Sequence, residues 1–497
     1  MLLHTKINPE LKKALDAGKA DDEFDILILI RPTPRDLLGA SFPSDGCFTL
    51  TNDIKADLLD KTIKVHQKPL IDRARELKIV YETFWINNVL RISATLEKLS
   101  DFFRTDFPVS DDYIESIAFN LEFSYLLSIK ELLAVPRAKD CIMAASVPYP
   151  QWNLQQIGSL ILNAAPFHLN GKGALIAVID TGIDYQHPDL KSHMWDGGHR
   201  YPHHGYNFGD GNDDPMDATL HGTHCASIIA GDGACGQLTG VAFGAKLMAL
   251  RIYSKERKTT QGKMWKAMMF ALKHRCDIIS MSQSCDYNVY PSHNAWRRAC
   301  ETIQYFHVFH VNTAGNNGCS SKKLEQEIPN NCNPPGNCPP PWLHPIQTLT
   351  HRGGSSSCIT VGAVNVDNYF WIDSSYGSCH WLDYPYDAST GRGGLIKPDL
   401  CAPGLDVTVC DPITNSYSLD GGTSMAAPHV SGSAALLLQA IREAGKFDRK
   451  WVEKIFIALS CSARPIQGQT QPKENKYGAG AINVYHAWLF GRNQGWW

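Results

Sequence analysis

The 497-residue sequence has no apolar run near the ~18–20 residues that cross a bilayer. Its opening stretch, MLLHTKINPELKKAL, lacks the apolar core of ~7–15 residues that a secretory signal needs. The longest early run, ILILI at 26–30, is closed by Asp25 and Arg31. These absences set the expectation of a cytoplasmic protein with no membrane partner. An excess of one charge is missing too. The formal net charge is −3 and the pI about 6.7, which points away from nucleic acid and anionic membranes. There are fifteen cysteines, an odd number, and the spacing of Cys332 and Cys338 fits no standard zinc pattern. Cys276 and Cys358 fall inside apolar runs and read as buried free thiols. Cys332 and Cys338, in NNCNPPGNCPPPW, leave a local disulfide or a metal open. What is present is ordinary for a globular chain: 43% apolar and 20% charged residues, with length enough for two or three domains.

Two textures follow one another. Residues 24–119 read as a small α+β unit in the order strand, helix, hairpin, helix, strand. FDILILI supplies the first strand. Ile54, Leu58, Leu59 and Ile63 recur at helical spacing, and Asn87-Asn88 suits a tight hairpin. A further helix and linker are expected over 121–143, ending in MAASVPYP. From about residue 170 short apolar runs recur without alternation: 174–180, 247–253, 276–282, 308–315 and 358–364. Such runs suit strands buried on both faces. Helical patterns lie between them, including Met264, Ala267, Met268, Ala271 and Leu272. The expected fold is α/β, with a mostly parallel central sheet and helices on both faces. Its active residues should gather at the carboxyl ends of strands. Residues 318–350 read as a long irregular insertion.

The run AVIDTGIDYQHPDL, 177–190, ends a strand on Asp180-Thr181-Gly182. A two-carboxylate acid protease would need a second Asp-Thr-Gly or Asp-Ser-Gly, and the chain has none. Three other stretches supply different parts: HGTHCASIIAG (221–231), TAGNNG (313–318) and DGGTSMAAPHVSGSAALLLQA (420–440). A serine hydroxyl becomes a nucleophile when a base takes its proton, and an imidazole does so near neutral pH. A buried carboxylate holds that imidazole in the right tautomer. The oxyanion that forms needs aimed N–H donors. Ser424, His221 and Asp180 can fill the first three roles, and Asn316 with the Ser424 N–H the fourth. Gly421 and Gly422 allow a sharp turn before the serine. Pro428 removes the helical bond to the Ser424 carbonyl, which is expected to keep that first turn adjustable.

AVIDTGID, HGTHCA and GGTSMAAPHVSG, in the order Asp, His, Ser, resemble the three signature blocks of the subtilisin-like serine proteases, the subtilases. KPDLCAPG (397–404) and YGAGAINV (477–484) resemble further landmarks, and the likeness spans roughly residues 148–490. It implies a serine endopeptidase with Asp180, His221 and Ser424 as triad and Asn316 as oxyanion donor. The implied substrate is a polypeptide bound as an extended strand along segments around Gly262, Ser282, Ser284 and Gly315. Cys225 reads as a small buried hydrophobe; the lesser reading, from a subgroup of the family with a free cysteine beneath the histidine, implies sensitivity to mercury-like metals. His224, one turn beyond His221, is expected to pack only. The N-terminal unit is similar in element order to a family propeptide, which assists folding and inhibits the active site. The expected division is residues 1–143, propeptide-like with its linker, and 144–497, catalytic. A cut by the enzyme itself is expected near Met143–Ser146. A monomer is expected.

The sequence also departs from the family. Ala234 and Ala145 stand where calcium ligands are usual, and Asp189 alone does not make a site that takes about six oxygens. No metal or other cofactor is therefore expected. The acidic run GDGNDDPMD (209–217) reads as a solvated loop leading to His221, with calcium the lesser reading. Ser284 replaces a residue usually glycine at the wall of the main specificity pocket. Lys255, Arg257, Lys258 and Lys263 read as a solvated loop, with a taste for acidic substrate residues the lesser reading. Two alternatives stay open: a maturation protease for one partner, and a non-catalytic, self-inhibited binding protein on the same fold.

Overall fold

A computed structural model describes residues 6–41, 51–103, 113–120, 122–124, 152–217, 219–283, 293–316, 318, 357–379, 386–387, 392–413 and 415–497. The bulk of the 318–350 insertion, Ser284, the Cys332–Cys338 stretch and the 143–146 junction lie outside them. The chain divides into two compact units. One joins Met1–Ser124 with Lys258–Arg275 and Tyr290–Phe306; the other joins Tyr125–Arg257, Cys276–Val289 and His307–Trp497.

The smaller unit carries an antiparallel sheet in the order β2-β3-β1-β4: β1 (Glu23–Ile30), β2 (Val80–Phe84), β3 (Val89–Thr95) and β4 (Ile114–Phe119). The helices Asn52–Glu76 and Leu96–Phe102 complete the expected order. Ile26, Ile28 and Ile30, at the two-residue period of one strand face, share a core with Leu70, Ile92 and Phe102. Two helices were not foreseen, Pro9–Ala17 and Pro34–Ser41. Ile54 lies on the exposed side of its helix at 45% exposure, while Leu59 and Ile63 are buried. A separate antiparallel pair joins β5 (Glu122–Ser124) to β9 (Lys258–Thr260), with Phe123 opposite Thr259. The helix Gln261–Lys273 follows β9. Its Trp265 packs edge-on to Phe84 at 5.4 Å.

The larger unit is built on seven parallel strands in the order β17-β12-β11-β10-β6-β8-β7. These are β6 (Leu175–Asp180), β7 (Gly205–Asn207), β8 (Lys246–Arg251), β10 (Ile278–Met281), β11 (Phe309–Thr313), β12 (Ile359–Val364) and β17 (Leu400–Pro403). The five apolar runs become β6, β8, β10, β11 and β12. Their lack of alternation has the expected cause: Ile176 and Val178 face the main core, yet Ala177 and Ile179 are also fully buried. Two small pairs, β13 (Gly377–Cys379) with β16 (Leu395–Lys397) and β14 (Tyr386–Asp387) with β15 (Arg392–Gly393), and a hairpin of β18 (Val407–Asp411) and β19 (Ser416–Asp420), are antiparallel. The sheet is flanked by helices, among them the histidine helix His221–Ala230 and the serine helix Thr423–Glu443. The serine helix is buried from Thr423 to Ile441, which accounts for its long apolar run. Cys276 and Cys358 are buried.

Candidate active site

Asp180 is the last residue of β6, Ser282 follows β10, and Gly315 and Asn316 follow β11. The carboxyl ends of three strands therefore deliver side chains to one side of the sheet. Asp180 Oδ1 accepts the Thr181 N–H at 2.7 Å and meets His221 Nδ1 at 2.7 Å. That contact needs close approach of the histidine helix to β6, and Gly222 permits it. A Cβ there would lie 2.0 Å from the Gly182 carbonyl oxygen.

Asp217 fixes the start of the histidine helix. Its Oδ2 accepts the Thr223 N–H at 2.8 Å and hydroxyl at 2.6 Å. Its Oδ1 accepts the Thr219 and Leu220 N–H groups and the Thr181 hydroxyl. It thus satisfies backbone donors that a helix start leaves orphaned. The acidic run before His221 is more than a solvated loop. Asp210 pairs with Arg251 at 3.2 Å, and Asp214 accepts the Tyr185 hydroxyl.

Ser424 sits in the first turn of the serine helix, with 8% exposure against 5% for His221 and 1% for Asp180. Gly422 before it has φ 128°, a conformation that favours glycine. With Pro428 in place of a donor, the Ser424 carbonyl accepts instead the Ser282 hydroxyl at 2.8 Å and the Cys225 thiol at 3.6 Å. The expected adjustable turn is corrected: the freed carbonyl is held by two side chains. Cys225 Sγ also lies 3.9 Å from His221 Nδ1, so one sulfur touches both the histidine ring and the serine backbone. The Ser424 hydroxyl donates to the Ser282 carbonyl at 3.4 Å.

Asn316 is oriented by Thr423, whose N–H and hydroxyl donate to its Oδ1 at 3.0 and 2.6 Å. Thr313 in turn bonds the Thr423 hydroxyl. With the amide oxygen fixed, the NH2 end is the donor Asn316 presents away from that network. A Cβ at Gly422 would come 3.2 Å from this nitrogen.

The charges follow from the burial. Burial pushes the His221 ring toward neutrality. The Asp180 carboxylate and the Cys225 sulfur outweigh it and hold the ring well above the usual histidine range. Burial pushes the Cys225 thiol up, with His221 opposing. One turn on, His224 Nδ1 bonds Asp420 Oδ2 at 2.7 Å. Burial opposes ionisation of Asp420, but the His224 bond and charge hold its carboxyl below the usual range. His224 is thus more than a packing residue.

The comparisons with known proteins agree on one family. The family model described as "Subtilase family" matches residues 171–480. The chain belongs to the subtilase family. These are serine proteases. A thermophilic serine proteinase of Bacillus sp. (strain AK1) is 30% identical over 53% of this chain, which spans 52% of that relative's length. The major intracellular serine protease of Bacillus subtilis (strain 168) is 29% identical over 60% of this chain and 78% of its own. In fold, the subtilase is similar to an epidermin leader peptide processing serine protease from Staphylococcus aureus. That likeness has a TM-score of 0.59, 17% identity and coverage of 94% of this chain and 99% of that one.

The expected substrate segments of this subtilase are occupied in several ways. Gly262 lies at the start of the helix Gln261–Lys273, and a Cβ on it would be 2.9 Å from the Phe84 ring. Ser282 holds the Ser424 carbonyl, as above. The Gly315 N–H donates to the Thr423 hydroxyl at 3.2 Å. Asp189, expected from the resemblance to be a lone calcium-type carboxylate, is engaged by protein donors. Its Oδ1 accepts the Cys235 N–H at 2.7 Å and its Oδ2 the Tyr417 hydroxyl at 2.8 Å. The side chains around it carry sulfur, imidazole and phenol, so they do not fit calcium. Sequence reasoning missed Asp217 and Asp420. The only sequence signal for the former was an aspartate four residues before the helix.

Proposed function

We propose that this subtilase is a serine endopeptidase with Ser424 as nucleophile, His221 as base, Asp180 as orienting carboxylate and Asn316 as oxyanion donor. The 2.7 Å contact of His221 Nδ1 with Asp180 Oδ1 carries the reading. It leaves Nε2 as the nitrogen that takes the Ser424 proton while Oγ attacks the scissile carbonyl. Negative charge then develops on the carbonyl oxygen, where the Ser424 N–H and the Asn316 amide supply donors. The imidazolium gives its proton to the leaving amine. Water, activated by the same ring, next opens the acyl-enzyme and restores the serine. Cys225 and Ser282 act on the nucleophile's carbonyl, so they position Ser424 rather than react.

The N-terminal unit is proposed as an inhibitory propeptide. The pairing of β5 with β9 supports this. Extended substrates add as a strand to an exposed edge, and Glu122–Ser124 takes the edge of the strand that leads into Gly262. The self-made cut near Met143–Ser146 and an intracellular setting belong to the same proposal. Two relatives are named intracellular serine proteases. Among the described residues no helix is long and apolar enough to cross a membrane.

A fluorophosphonate probe tests the reading. It should label the wild-type chain and leave Ser424→Ala unlabelled. N-terminal sequencing of the active sample should give a residue near 143–146. Labelling of both proteins would overturn the nucleophile; an active sample that begins only at Met1 would overturn the cut.

A further inference from the structure

Asp189 stands where three segments of the larger unit meet: its own loop after β6, the loop after the histidine helix, and the β18–β19 hairpin. A ring nitrogen of His187, a carboxylate oxygen of Asp189 and Cys235 Sγ all lie within 4.8 Å of one another. Cys410 Sγ, on β18, is 3.6 Å from Asp189 Oδ2. His187, Asp189 and Cys410 are fully buried, and Cys235 is partly exposed. His187 Nδ1 accepts the Asp189 N–H at 3.2 Å, and among the described residues its buried Nε2 has no partner. A buried polar nitrogen left in that state is costly and asks for an explanation.

The donor set supplies one. Ligands held at ~2.0–2.3 Å by a tetrahedral zinc ion sit roughly 3.5 Å from each other. The Cys410–Asp189 separation already matches; His187, Asp189 and Cys235 present ligand atoms within 4.8 Å of one another, and Cys410 joins them through its contact with Asp189. Two sulfurs, an imidazole and one carboxylate suit a thiophilic cation better than a hard one.

We propose that His187, Asp189, Cys235 and Cys410 form a binding site for a thiophilic divalent cation of the zinc class. On binding, two Sγ–metal bonds form as two S–H protons leave to solvent. The carboxylate and an imidazole lone pair complete the four ligands. The partly exposed Cys235 gives the ion its way in. The bound ion staples the loop after the histidine helix to the hairpin whose last residue, Asp420, precedes the turn into Ser424. The site thus braces the base-bearing helix against the nucleophile-bearing segment.

The test uses full-length Ser424→Ala protein, so that activity and self-cleavage play no part. Cys225→Ser is added to remove the thiol beside His221. With zinc supplied alone, this protein should retain about one ion per chain after gel filtration. Cadmium should give a thiolate charge-transfer band. Cys235→Ser and Cys410→Ser should each weaken uptake at least about tenfold, while the exposed Cys461→Ser changes nothing. Zinc should also raise the unfolding temperature, and Cys235→Ser should abolish that rise. If Cys410→Ser fails to fold, by circular dichroism, the partly exposed Cys235 variant decides. No retained zinc, or retention equal in Cys235→Ser, overturns the proposal.

Discussion

His221 and His224 stand one turn apart on the same helix, and each holds a carboxylate at 2.7 Å through Nδ1. Judged by that contact alone, the two pairs are the same. They differ in what each pair joins. Asp180 ends a central strand of the sheet, while Asp420 ends the hairpin strand beside the turn that carries Ser424. The ring of His221 shares Cys225 with the Ser424 carbonyl. The Nε2 of His224 is buried and has no partner among the described residues. A histidine–carboxylate pair is therefore a general device for fixing a ring. The group opposite the carboxylate determines whether the fixed ring does chemistry or links two segments.

The largest effect should come from breaking the first pair. Asp180→Asn keeps the shape but lets the ring take the wrong tautomer. The expected loss in kcat is about 10⁴-fold, with KM nearly unchanged. Steady-state kinetics on a peptide substrate would check it. A loss as small as that of the second pair would erase the distinction between them.

The pH dependence separates the pairs next. His221 is held above the usual histidine range, and the base role proposed for it needs a neutral ring, so activity should climb as pH rises through that raised value. The His221–Asp180 attraction runs the other way. It stabilises the fold fully below the unfolded histidine pKa and is lost as pH rises through the folded one. A third buried histidine gives the opposite sign. Burial pushes His429 down to about 4, with the Met425 carbonyl partly opposing. Below about pH 6.5 the unfolded chain takes up a proton that folded His429 refuses, so stability falls toward pH 4 by up to about 3 kcal/mol. Urea unfolding of Ser424→Ala across pH 4–7 should show the fall, and His429→Gln should flatten it.

Much of this arrangement was legible because local pattern and chemistry coincide. Apolar runs without alternation announced β6, β8, β10, β11 and β12. Asp180, His221, Ser424 and Asn316 each sit in a short motif with its own chemical reason. The rest depends on distance in the chain. Asp420 lies 196 residues from His224, and nothing local pairs them. Asp189 and Cys410 are separated by 221 residues. Ser282 reads as a substrate segment because the proline that frees the Ser424 carbonyl lies on another element. Gly262 was read as a substrate segment, and the helix start and the phenyl ring beside it were not legible locally. β7 and β17 are too short to stand out from turns. Asp217 was hidden in an acidic run, where charge suggested solvent and masked its caps.

Both histidines depend on that cap. Asp217→Ala removes the acceptor of the Thr219, Leu220 and Thr223 N–H groups and of two hydroxyls. The expected destabilisation is about 2 kcal/mol. Denaturant unfolding in the Ser424→Ala background measures it. A cost within error of zero would mean that water replaces the carboxylate and that the helix start is held by tertiary packing.

The smallest effect should come from the second pair. Asp420→Ala leaves His224 without its acceptor in a half-buried place, which costs about 1–2 kcal/mol. The Asp420 carboxyl is held below its ordinary value. Its contribution is present above the unfolded carboxylate pKa and is lost as pH falls through the folded one. At neutral pH the full cost should therefore appear. Asp420 also accepts the Gly421 N–H at 2.7 Å, so its loss slackens the turn that carries Ser424. A drop in kcat of about tenfold follows, with the pH of half-maximal activity moved far less than by Asp180→Asn, because Asp420 feels the His221 charge only after its own bond to His224. His224→Gln, which keeps a donor for the carboxylate, should recover most of the stability. If Asp420→Ala instead shifts the pH profile as strongly as Asp180→Asn does, the second pair is electrostatically coupled to the first, and the contrast between linker and base no longer holds.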